Sequence, residues 1–353
     1  MIIRGLIWNN GLSQSGYGAG RRHSISRLAA GAPRQEGAFG HVTRYWIGKI
    51  VSVAVSLFVL ATATFFLMKA IPGDPFTQEK AVPEEIRQKL LAYYGLDKPV
   101  WQQYLAYLNN LLHFDLGMSM KSNYQTVAGI ISDSFGYSFR LGVVAIAVSI
   151  IVGVAVGILA AMHHRKLIDS VSMVLAVLGV SVPNFVLASL MQYVFGYKLR
   201  WLQVAGLNGP LDYVMPVIAL SALPIAYIAR LTRSSMLEAL SAEYIKTARA
   251  KGLSRRAIVL RHAVRNGILP VVTYAGPMAA NIVTGSVIVE QIFGIPGLGQ
   301  YFVASVSNRD YTLIMGITLF YAIVLMAARL ITDIVYGLVD PRIRLRSGKG
   351  AAS

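Results

Sequence analysis

Few residues of this 353-residue chain are arranged for covalent chemistry. His163 and His164 are adjacent in a loop, and no His-Glu-x-x-His pair exists to hold a catalytic zinc, so no metal site is expected. There is no cysteine, which excludes disulfides, thiolate metal sites and thiol nucleophiles. What stands out instead is polar residues in apolar surroundings. Arg329 and Asp333 lie four apart, spaced to pair on one helix face as a structural ion pair rather than a substrate or proton site. Pro183, Asn184 and Asn281 interrupt apolar runs. Residues 230–268 hold nine Lys and Arg against two acids, and Met236, Leu237, Leu240, Tyr244, Ile245 and Ala248 recur at helical spacing. After a turn at Gly252, Ser254 is a good N-cap for a second helix. Such an amphipathic, basic segment suits anionic lipid or a partner protein, and the pattern alone does not choose.

The elements around these residues read as membrane spans. Only 14% of residues are charged and 55% are hydrophobic, yet the net charge is +17. Six stretches free of Asp, Glu, Lys and Arg approach the ~20 residues that cross a bilayer. They are 50–68, 141–162, 171–197, 213–229, 266–289 and 311–328. In lipid such runs must be helical, because backbone polar groups have no water to turn to. The expected fold is an all-α membrane protein of six transmembrane helices. Prolines in the third to fifth runs (Pro183, Pro216, Pro224, Pro270, Pro277) suggest bent or broken helices whose freed carbonyls line a cavity. Asn184 and Asn281 would line that path or join helices, the second being the commoner role.

Sorted by loop, the charge sets an orientation. One side, holding both termini and the loops after spans two and four, carries 22 Lys and Arg against five acids. The other carries 10 of each. Basic loops stay cytoplasmic, so both termini should lie inside. This also removes a nucleic-acid reading, since no basic stripe sits on a folded domain. The region 71–137 outside is too long for a plain loop. Pro72-Gly73-Asp74-Pro75 ends the first span, and Pro83 followed by Glu84 and Glu85 opens a helix that Gly95 stops. Pro99 opens a second, with Val100, Trp101, Tyr104, Leu105, Leu108, Leu111 and Leu112 at helical spacing. This small external cap packs on the bundle, meets a partner, or lies at the membrane interface.

The stretch Glu243-Tyr-Ile-Lys-Thr-Ala248-Arg-Ala-Lys-Gly252-Leu-Ser resembles the coupling loop of binding-protein-dependent ABC importer permeases, whose signature holds Ala and Gly four apart. Leu260-Arg-His-Ala-Val-Arg-Asn266-Gly-Ile-Leu-Pro270 is similar to the peptide and nickel branch. Further matches follow in order: Pro72–Pro75, Ser181-Val-Pro-Asn-Phe185, Ile292-Phe-Gly-Ile-Pro-Gly-Leu-Gly299, Asn308-Arg-Asp-Tyr311 and Asp340-Pro-Arg342. Together they cover residues 42–345. One departure is Lys246, which stands where the family-wide pattern has Glu; Glu243, three residues earlier, is not its equivalent. The resemblance implies a type I ABC importer transmembrane domain in a bacterial cell membrane, with the first transmembrane helix and the external helical subdomain at 42–137, a five-helix core holding the cytoplasmic coupling loop 230–268 at 138–345, and a tail at 346–353. It implies one half of a pore for oligopeptides, with dipeptide, nickel or glutathione import as alternatives. A second permease, two ATPase subunits and an external binding protein would be the partners. ATP and Mg would sit on the ATPases, since the chain has no Gly-x-x-x-x-Gly-Lys-Ser/Thr loop. Glu243, Ala248, Arg249 and Gly252 would meet the ATPase, small side chains allowing close approach. A secondary transporter, from a different class, would need intramembrane acids and inverted repeats, for which Asp333 is thin support.

Residues 1–41, rich in Gly, Ser and Arg, have no counterpart in this resemblance and read as disordered. The composition changes abruptly just before Val42-Thr43-Arg44, which suggests that translation starts there. Intact-mass measurement of the native protein should therefore give a chain beginning near residue 42; a mass that includes residues 1–41 refutes this.

Overall fold

A computed structural model of the chain describes residues 36–71, 75–76, 83–122 and 125–339. The extension up to residue 35, Pro72 to Asp74 and the Asp340-Pro-Arg342 stretch lie outside them. Fourteen helices follow in order among the described residues: α1 Glu36–Ala70, α2 Glu84–Tyr93, α3 Val100–Leu112, α4 Val127–Met162, α5 Leu167–Ser181, α6 Asn184–Met191, α7 Val214–Ser241, α8 Glu243–Ala250, α9 Arg255–Ala257, α10 Val264–Gly267, α11 Leu269–Gly285, α12 Val287–Phe293, α13 Leu298–Asn308 and α14 Tyr311–Val339. Single turns of π-helix, Gln192–Lys198 and Ile258–Ala263, extend α6 and join α9 to α10. Among the described residues there is no β-strand, only an isolated bridge between Met118 and Thr126. Because α1 starts at Glu36, the last six residues of the stretch expected to be disordered are helical. The described residues up to Ala54 fall in a unit of their own, in which the Lys49 ammonium lies 5.8 Å from the Trp46 ring centroid.

Among the described residues four helices are long and apolar enough to cross a membrane, or up to six if each of two bent pairs is one span. The first, second, fourth and sixth apolar runs fall on α1, α4, α7 and α14. The third is broken as expected. Val182 adopts φ −92°, ψ 119° ahead of Pro183, the extended conformation that proline imposes on its predecessor, and the chain bends 99° between α5 and α6. The fifth run becomes α11, 17 residues long. In contrast to the expected kinks, α7 runs through Pro224 without a break. It is the most enclosed of the candidate spans, packed by α4, α5, α6 and α11, and its neighbours hold it where the proline removes a backbone donor.

The most extensive packing joins α4 to α7. Leu141, Ala145, Ser149, Gly153, Gly157 and Ala161 recur every fourth residue on the buried face of α4. A Cβ built on Gly153 would stand 2.7 Å from Ile228, and one on Gly157 2.5 Å from Thr232, closer than side chains tolerate. Ser221 donates a hydrogen bond to the Ala145 carbonyl across the same contact, 3.1 Å. Small residues let two backbones approach where lipid supplies no hydrophobic drive between helices.

Two buried carboxylates hold the corners. Glu290, with no exposure, accepts hydrogen bonds from the Ser286 hydroxyl and from the Gly299 N–H, the latter at 2.8 Å. It thereby satisfies a free donor in the first turn of α13. Leu298 N–H donates to Ser138 Oγ of α4 at 2.9 Å. A side chain at Gly297 would collide with both partners, which explains the Gly-Leu-Gly at this 90° bend. Asp310 caps α14 by accepting from Leu313 N–H, 3.1 Å, and its carboxylate also accepts from Ser119 Oγ and, at 3.1 Å, from Met120 N–H. It anchors the segment after α3. Beside it, the Tyr94 hydroxyl donates to the Ser119 carbonyl at 2.9 Å, and burial, then the Asp310 carboxylate, then Tyr93 raise its pKa.

Gly157→Val should destabilise the bundle by about 1–3 kcal/mol, the usual cost of overpacking. Gly136→Ala, where a Cβ meets nothing within 4 Å, should be neutral or stabilising. Denaturant unfolding of the two variants in nanodiscs checks this; equal stability refutes the close contact.

Candidate functional site

The loop segment after α7 is seated on the helix ends by long-range polar contacts. Asp169, in the first turn of α5 and 4% exposed, receives Arg233 of α7 in a bidentate pair, Nε to Oδ1 at 2.5 Å and Nη2 to Oδ2 at 2.8 Å. The Arg165 N–H donates to Oδ2 at 3.0 Å, and His164 Nδ1 lies 3.3 Å away. Arg255 donates to the Met162 carbonyl at 3.1 Å, capping the end of α4. The α4–α5 turn, the end of α7 and the start of α9 are thus tied together.

On this platform sits α8. Glu243 opens it, favourably placed at a helix N-terminus, and pairs with Lys246 at 2.6 Å on the exposed face. Ile245 and Ala248 point the other way, 0% and 5% exposed, into a cluster with Met236, Ile258, Val259 and Ala263. Ala248, read from the sequence as a small outward contact, therefore faces inward: its methyl lets α8 lie close to α7 and to the π-turn. Arg249 is exposed. Gly252 has φ +76°, a left-handed conformation that favours glycine, with open space where a side chain would be. Ser254 Oγ accepts from the Ala257 N–H at 3.3 Å, the expected N-cap. A hollow of about 380 Å³ lies beneath α8 between Met162, Leu240, Arg249, Leu253 and Arg255.

The other singled-out residues lie apart. Pro183 and Asn184 stand at the α5–α6 break, Asn184 half-buried. Asn281 is exposed on α11, so it does not lie buried among the helices of this chain. Arg329 is exposed and Asp333 half-buried, four apart on α14. A more open hollow of about 630 Å³ lies between α7 and α11, lined by Tyr227, Leu231, Leu269, Pro270, Thr273, Tyr274 and Pro277. The Tyr227 and Tyr274 rings meet there, centroids 4.3 Å apart. It contains no charged residue. Among the described residues no group of His, Asp and Glu is placed to hold a metal. Sequence reading missed Asp169–Arg233, whose partners are 64 residues apart, and the α7–α11 hollow. Glu290 carried a signal, an acid ending an apolar run just before Gly294-Ile-Pro-Gly297-Leu-Gly299.

Residues 153–345 match the family described as binding-protein-dependent transport system inner membrane component, and residues 42–151 match its N-terminal counterpart. The chain is 44% identical over 304 residues to the dipeptide transport system permease protein DppB of Bacillus subtilis (strain 168), covering 86% of this chain and 99% of that one. It is 41% identical over 298 residues to the oligopeptide transport system permease protein OppB of Haemophilus influenzae, covering 84% and 97%. Among solved structures, an inward-facing MetNI methionine ABC transporter shares the fold, with a TM-score of 0.51 and 17% identity over 60% of this chain and 96% of that one.

Arg233→Ala leaves the buried Asp169 carboxylate without its partner and should cost about 3–5 kcal/mol; Asp169→Ala leaves Arg233, which is partly exposed, and should cost less, and the double variant should cost less than the sum. Unfolding of the three variants in nanodiscs tests this; additive losses refute the coupling.

Proposed function

As the chain belongs to the family of binding-protein-dependent transport system inner membrane components, we propose that it is a permease subunit of an ATP-driven importer of oligopeptides, forming half of the pore. The family is one of membrane permeases rather than catalytic subunits. The names of relatives 40–44% identical over most of the chain support a peptide cargo. Dipeptides are the second reading, favoured by the Bacillus relative. The uncharged, apolar hollow between α7 and α11 suits a conduit that accepts varied side chains, and it joins Pro183, Asn184 and Asn281 as pore candidates.

The observation that carries the coupling role is α8. It is a single short helix, held by Ile245 and Ala248, whose other face is charged and exposed. Two ATPase subunits would dock on this face and its counterpart in a second permease, holding ATP and Mg themselves. Glu243, Arg249 and the Gly252 turn would meet them, Arg249 through acidic groups. Ala248 acts from below by seating the helix. ATP-driven closure would then alternate the pore between its two faces, and an external binding protein would deliver the peptide. The charge bias favours α8 and both termini inside. By their four-residue spacing, Arg329 and Asp333 are the proposed structural pair on α14.

Purified with its partner subunits, the complex should show ATPase activity stimulated by peptide-loaded binding protein. Gly252→Glu should abolish most of the stimulation while the complex still co-purifies or should release the ATPases; Gly252→Asn, which tolerates the left-handed turn, should keep it. Peptide uptake by the isolated chain, or full stimulation of Gly252→Glu, refutes the assignment.

A further inference from the structure

We infer that α3 is an interfacial helix whose free apolar arc lies in the bilayer leaflet at the Ala70 end of α1. The observations are its depth, its composition and its two-part apolar face. Tyr104 Oη lies 2.8 Å from Thr62 Oγ1, and the Tyr107 ring stacks on Phe65, centroids 5.6 Å apart. Both contacts are below Lys69, the first charged residue after the apolar stretch of α1. At ~1.5 Å per residue, Phe65 and Thr62 lie ~6 and ~10 Å inward of Lys69 along the helix. That is the depth, roughly 5–10 Å, to which amphipathic helices sink their apolar faces.

Composition agrees. From Val100 to Leu112 there is no charged residue, whereas α2 carries Glu84, Glu85, Arg87 and Lys89. Around α3, Tyr104, Tyr107 and Leu111 form one third of the circumference, the two tyrosines meeting α1; Trp101, Leu105, Leu108 and Leu112 form the adjoining third. Of these, Trp101 is 61%, Leu105 54% and Leu112 79% exposed. Gln102, Gln103, Asn109 and Asn110 occupy the remainder. The free arc is continuous with Phe66, also exposed on the membrane-spanning α1 and packed on Tyr104. An uncharged arc at this depth, with a tryptophan on it, matches a lipid boundary rather than a water-facing surface for a delivery protein.

The chain has no cysteine, so single-cysteine variants can be spin-labelled cleanly. Labels at Leu105→Cys and Leu112→Cys, with Lys89→Cys on α2 as the aqueous control, are read in nanodiscs by collision with oxygen, which concentrates in lipid, and with a water-soluble nickel chelate. Oxygen collisions should exceed chelate collisions several-fold at 105 and 112 and fall below them at 89. Chelate access at 105 and 112 like that at 89 overturns the proposal in favour of a wet surface. Protection from both reagents overturns it in favour of a protein-covered one. Because the readout needs no transport, it stands or falls apart from the permease assignment. Gln102→Cys on the polar side of α3 checks that the helix is folded, since it should read wetter than 105.

Discussion

The close approach of α4 and α7 is the contact on which the rest of the bundle is arranged. A membrane offers helices no hydrophobic reason to associate, so packing at short range must supply the attraction. Gly153 and Gly157 bring the two backbones together so that Ile228 and Thr232 lie over a surface without side chains, and many weak dispersion contacts form at once. Once α7 is fixed on that rail, α5, α6 and α11 have a central helix to pack around. The segment that leaves the end of α7 then starts from a defined place.

Saturated carboxylates do at the helix ends what glycines do in the middle. Asp169, Glu290 and Asp310 are each at most 4% exposed, and each accepts hydrogen bonds from at least two groups. A buried charge is tolerable only when its lone pairs are used, so each of them dictates where its donors stand. Asp169 reaches Arg233 of α7, and Asp310 reaches Ser119 and Met120 from nearly two hundred residues away. Glu290 lies beside glycines that leave room for it. The Gly-Leu-Gly and Asn-Arg-Asp-Tyr stretches of this chain thus acquire a physical purpose: one accommodates a carboxylate, the other supplies one.

What the sequence revealed and what it hid follow from how local each signal is. The Pro83 and Pro99 helix starts, the left-handed turns at Gly95 and Gly252, the Ser254 cap and the break at Pro183 all depend on neighbours within four residues, and each was legible. The stripe on α4 was present as a spacing, but on a helix apolar all round a stripe of small residues does not name its partner. Pro224 misled because its local penalty is overruled by the packing around α7. Ala248 misled for the opposite reason: a small residue suits an outward contact and an inward one equally, and only the position of Met236 and Val259 beneath it decides.

The position of the glycine contact along α7 has a mechanical meaning. The residues facing Gly153 and Gly157, from Ile225 to Thr232, lie close to the middle of the 28-residue helix. At ~1.5 Å per residue this leaves an arm of ~19 Å towards Ser241 and one of ~22 Å towards Val214. Taken as one rigid element turning about that contact, α7 would be a rocker. A tilt of about 10° swings each tip by ~3–4 Å in opposite directions, less than the ~5.4 Å of one helical turn. Displacement imposed at the α8 end would emerge at the far end almost one for one, reversed in sense.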